Sequence, residues 1–203
     1  MNSGVVIKKI VDFIVQPEVV MWGLVILIPL ISKFKAGINY ISVVDIIKNH
    51  LKCFQNNEGK YLVVPVINYV ILPFIMGAAT VQIKVIDATT IEIVTVIVSI
   101  LTAMLFTMLT MVIDMKGKIK QDPSYFSTEA RISEQSLLQT YYTIMFEILV
   151  SIVLLILCLF SNFTNGFGWI KSFLIYSFVY MLLINLLMII KRIFRVIDND
   201  MQK

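Results

Sequence analysis

Four apolar runs, each long enough to cross a bilayer, constrain this chain more than any other feature. A helix crosses the hydrocarbon core with about 20 consecutive apolar residues. Tyr61–Val81, Ile91–Ile113, Leu138–Phe160 and Gly168–Ile190 all reach that length. Composition agrees: 59% of the 203 residues are hydrophobic and 15% charged, where soluble domains are charged at about a quarter of their positions. A globular protein of this size cannot bury so much apolar surface, and lipid removes the need. The expectation is an all-α integral membrane four-helix bundle. A fifth run, Val19–Ile31, is shorter, contains Pro29 and is bounded by Pro17-Glu18 and by Lys33 and Lys35. Runs of about 10–14 apolar residues are more often re-entrant or interfacial, so this one is read as dipping into the membrane.

Basic residues orient the spans. With the N-terminus, residues 33–60, the 114–137 loop and the C-terminus in the cytoplasm, 15 of the 17 Lys and Arg lie inside; Lys84 and Lys171 remain outside. That asymmetry is a strong positive-inside signal. A spanning Val19–Ile31 would change the count to 13 against 4 without reorienting the later helices. Both termini are therefore expected in the cytoplasm of a multi-pass protein. The abundance of Ile, Asn and Lys, as in bacterial or phage genes of low GC content, makes the expected location a bacterial inner (plasma) membrane. Asp12, Pro17 and Glu18 interrupt any secretory signal, and no small-residue cleavage pattern follows.

The chain divides into an amphipathic and membrane-dipping lead (1–60), a first transmembrane hairpin (61–113), a cytoplasmic loop (114–137), and a second hairpin with a cytoplasmic tail (138–203). Val5–Gln16 and Ser42–Phe54 have helical amphipathic spacing and carry lysines, as helices lying among anionic inner-leaflet headgroups do. Docking of a soluble partner is the sharper reading of the same faces. Gln55–Gly59 reads as a turn, and a helix beginning at Ser127 or Thr128 meets no breaker before Phe160.

Motifs for soluble enzyme chemistry are absent: no phosphate-binding glycine loop, nucleophile elbow or metal-ligand spacing occurs. No catalytic residue, cofactor or metal is expected. The positive charge is read as topology signalling, with no direct nucleic-acid partner. Cys53 and Cys158 imply no disulfide framework. The lone His50, among Lys48, Asn49 and Lys52, reads as a solvated surface residue.

Polar residues inside the spans are the informative ones. In the second span Glu92, Thr95, Ser99, Thr102, Thr107, Thr110 and Asp114 fall within an arc of about 140°. Helix packing through small hydroxyl residues and the wall of a polar path both account for this stripe. In the third span Ser133, Ser136, Thr140, Thr143, Glu147, Ser151 and Cys158 fall within about 80°. A carboxylate that deep is costly unless paired or hydrated. Measured from the cytoplasmic ends, Asn68, Thr107, Glu147 and Asn185 each lie roughly 9–11 Å deep and define a candidate polar layer. Pro65 and Pro73 free backbone carbonyls near Asn68, and Gly77-Ala78-Ala79 permits close helix approach.

In length, span count, cytoplasmic termini and the amphipathic lead Met1–Lys60, the chain resembles small four-span proteins encoded in bacterial anti-phage defence loci, such as the membrane subunit of Kiwa-type systems. The resemblance implies an oligomeric membrane sensor or effector beside a soluble partner. The functional expectation is a non-enzymatic, homo-oligomeric sensor or scaffold of a defence system. A pore or ion-conducting effector is the alternative, and a small transporter, weakened by the lack of internal repeats, is the third.

Overall fold

The computed structural model describes residues 43–56, 58–121, 128–162 and 168–201. The expected Val5–Gln16 helix and the Val19–Ile31 run lie outside the described residues. Five helical segments are described: α1 (Val43–Lys52), α2 (Val63–Ile83), α3 (Ala88–Gln121), α4 (Thr128–Asn162) and α5 (Trp169–Met201). No β-strand occurs among the described residues; Gln55 and Tyr61 form an isolated bridge. Helices α2 to α5 are each long and apolar enough to cross a membrane. The protein is thus all-α, and its four apolar helices are those of a multi-pass membrane protein.

Between α1 and α2 the chain turns on Asn56, whose side-chain oxygen accepts from the Glu58 and Lys60 amides at 3.0 and 2.9 Å. Gly59 completes the turn at φ +77°, a conformation other L-residues adopt only with strain. Helix α2 is irregular because of proline. Pro65 sits in its first turn, where a missing N–H costs little. Pro73 has no N–H for the Tyr69 carbonyl, and its ring crowds that group. The preceding turn, Ile67–Ile71, widens to a π-helix, with the Leu72 amide reaching back to the Ile67 carbonyl.

Helices α3 and α4 extend past their apolar stretches, so the loop expected over 114–137 is in large part helical. Gly117 alone costs a helix only about 1 kcal/mol, and no proline precedes Pro123. Lys116 and Lys118 near the C-terminal end suit the helix dipole. The start of α4 at Thr128 is where the sequence put it. At the opposite end of the bundle Asp87 caps α3, accepting from the Thr90 amide at 2.8 Å and from the Thr90 hydroxyl, while Lys84 pairs with its other oxygen at 2.9 Å.

The spans pack pairwise in the order α2, α5, α4, α3. Helix α3 packs on α4 and buries Val98, Leu105 and Val112, one residue per seven, the last two in a shared apolar core. Leu137, Ile144 and Ile148 of α4 and Ile189 and Val196 of α5 complete that core. Helix α2 meets α5 at Gly77: a Cβ there would collide with the Ser177 hydroxyl and lie 2.8 Å from its backbone nitrogen and 2.9 Å from its Cα. The approach is the small-residue packing of membrane helices. Nearby, Thr80 and Tyr180 share a hydrogen bond of 2.9 Å.

Candidate functional site

Helix α4 turns its polar stripe inward. Thr140, Thr143, Glu147 and Ser151 are all buried. The hydroxyls satisfy themselves on their own helix: Thr140 donates to the Ser136 carbonyl, Thr143 to Gln139 and Ser151 to Glu147, at 2.8–2.9 Å. Back-bonding of this kind hides a hydroxyl and leaves a small surface for close packing. A carboxyl group has no such escape. Glu147 reaches α5, where the Asn185 side-chain amide donates to Oε1 at 2.6 Å; the two residues are 1% and 0% exposed. The second carboxyl oxygen of Glu147 and the amide oxygen of Asn185 have no hydrogen-bond partner among the described residues.

One turn along α4, toward the end of the bundle that carries α1, a second polar contact follows. Arg192 of α5 donates to the Thr143 hydroxyl at 3.1 Å and interacts with Cys53, just beyond α1. The Cys53 thiol also points to the Asn49 and Gln139 carbonyls, at 3.3 and 3.8 Å. Burial pushes this thiol up, against the opposing pull of Arg192.

His50 belongs to the same node, and here the surface reading fails. Its ring is 2% exposed, stacked on Phe146 of α4 at a centroid distance of 4.0 Å and met edge-on by Phe54 at 5.0 Å. Phe54 in turn stacks on Tyr69 of α2 at 6.0 Å. Neither ring nitrogen of His50 has a hydrogen-bond partner among the described residues. Burial, and secondarily the Arg192 charge, pull its pKa down to about 3, so the imidazole is neutral at physiological pH. The sequence held one clue: Ile46, His50 and Phe54 recur at helical spacing and form the inward side of α1, while Val44 and Ile47 are exposed.

Of the candidate layer of Asn68, Thr107, Glu147 and Asn185, the structure brings two residues together. Glu147 and Asn185 meet; Asn68, in the π turn of α2, and Thr107 of α3 are exposed on the outside of the chain. Of the α3 stripe, Thr95 and Thr102 are half-buried, whereas Glu92, Ser99, Thr110 and Asp114 are exposed. The stripe hydroxyls of Thr95, Ser99, Thr102, Thr107 and Thr110 all bond to carbonyls of α3 itself. Its polar flank therefore runs beside the packed seam rather than along it.

No group of three or more His, Cys, Asp or Glu among the described residues is arranged to hold a metal ion. The chain matches no family model, no curated protein and no solved structure.

Proposed function

We propose that this chain is a non-enzymatic, oligomeric membrane sensor or scaffold, the membrane component of a bacterial anti-phage defence system, with the α1 end in the cytoplasm. The seat of His50 carries the reading. A short helix outside the spans is keyed into the bundle by a buried aromatic stack on α4. Its trailing residues reach two more spans, Cys53 at Arg192 of α5 and Phe54 at Tyr69 of α2. A shift between any two of these spans must alter the seat of α1, and a ligand on α1 must bias the spans in return. Lys48 and Lys52 lie exposed on α1 and suit the anionic inner leaflet; a soluble protein docking there would receive the signal. The defence setting follows from the resemblance in layout.

The test is phage challenge of bacteria expressing the chain together with the genes that flank it. Protection should disappear on deletion of the chain and fall with Phe54→Ala at unchanged protein level. Absence of protection contradicts the defence role, and full protection by Phe54→Ala contradicts the coupling through α1.

A pore-type effector is the second reading, favoured by the exposed Glu92, Ser99, Thr107, Thr110 and Asp114 along one flank of α3. That flank can line water only between copies of the chain. Native mass measurement in nanodiscs and conductance in a planar bilayer discriminate: an oligomer without conductance supports the sensor, an oligomer that conducts supports the pore, and a monomer contradicts both.

A further inference from the structure

The contact between Glu147 and Asn185 is half of a recognisable arrangement. A carboxylic acid facing a primary amide can make two hydrogen bonds, amide N–H to one carboxyl oxygen and acid O–H to the amide oxygen. The first is present at 2.6 Å. The atoms left without partners are the two that the second bond would join, Oε2 of Glu147 and Oδ1 of Asn185. Both are acceptors when the carboxyl group is ionised, so they cannot satisfy each other without a proton. Both are enclosed by protein and turned to the same α4–α5 contact.

We propose that Glu147 and Asn185 form a buried proton-binding site, in which Oε2 of Glu147 carries a proton and donates it to Oδ1 of Asn185, closing a two-bond acid–amide pair between α4 and α5. One proton then satisfies two buried acceptors and removes a charge from the membrane interior.

Among the described residues the surroundings offer no competing counter-charge. On α5, Arg192 is committed to Thr143 and Cys53. From the α1 side come the uncharged imidazole of His50 and the thiol of Cys53, and from α2 the phenol of Tyr69 at the same node. On α3 the carboxylates Glu92 and Asp114 are exposed and turned away from the seam. Loss of the proton would leave two facing acceptors and a bare charge at the α4–α5 contact. The site therefore ties the closure of that contact to proton occupancy, independently of the sensor reading.

Infrared difference spectroscopy of the full chain in nanodiscs near neutral pH tests this. The wild type minus Glu147→Gln spectrum should contain a carboxylic-acid carbonyl band that moves to lower frequency in D2O. In Asn185→Leu the same band should shift to higher frequency, because its hydrogen bonds are gone. Carboxylate stretches in place of the acid band would overturn the proposal, as would an acid band unmoved by Asn185→Leu. Should Glu147→Gln fail to fold, the wild type against Asn185→Leu comparison decides by itself: a shifted acid band supports the site and an unchanged spectrum refutes it.

Discussion

Replacing His50 by Phe isolates what its burial does. The docked imidazole takes up a proton only near pH 3, whereas a solvated one does so near pH 6.5. Between those values the undocked state binds more protons, so docking of α1 weakens as pH falls and is unaffected above about pH 6.5. The slope is about 1.4 kcal/mol per pH unit. At pH 5 the loss is about 2 kcal/mol, close to a thirtyfold change in the docking equilibrium. Phe in place of His keeps the ring on Phe146 and removes the titration. Hydrogen exchange of the α1 amides, corrected for intrinsic rates and followed from pH 7 to pH 5, should show wild-type protection falling while His50→Phe stays level. Wild-type protection that is flat over this range, or an equal fall in His50→Phe, would show that His50 does not couple α1 docking to pH.

Two further perturbations address the span contacts. Glu147→Leu should destabilise the protein by about 1–3 kcal/mol more than Glu147→Gln, because Leu leaves the buried Asn185 amide without its acceptor; thermal unfolding in one detergent compares them. Gly77→Ala should cost about 1–3 kcal/mol, since the added methyl meets Ser177 main chain across the α2–α5 contact. Gly117→Ala, with open space around it, should stabilise α3 by about 0.5–1 kcal/mol in the same assay.

The spans were legible because apolar length is a one-dimensional property, and each observed helix covers the run that predicted it to within about a turn. The inward stripe of α4 was legible too, since a narrow arc of polar residues including a carboxyl group leaves few places to hide. Within the four-residue layer, angle rather than depth separates Asn68 and Thr107 from the Glu147–Asn185 contact. Rise per residue fixes how far Thr107 and Asn68 lie along their helices, but not which way they point. The π turn before Pro73 rotates α2 locally, and α3 buries Val98, Leu105 and Val112, leaving Thr107 exposed on its flank. His50 reads as a surface residue in the sequence because its lysine neighbours describe the outer side of α1, while the ring that covers it, Phe146, comes from α4 and is distant in sequence.

Four membrane-spanning helices with α1 on the cytoplasmic side fix which connections face the outside, and thiol labelling reads that topology. Gln121→Cys and Asn165→Cys, each in a chain with Cys53 and Cys158 replaced by Ser, would be treated in intact cells with a thiol reagent that cannot cross the membrane. Position 165 should label from outside, and position 121 only after permeabilisation. Labelling at 121 but not at 165 in intact cells would contradict this topology.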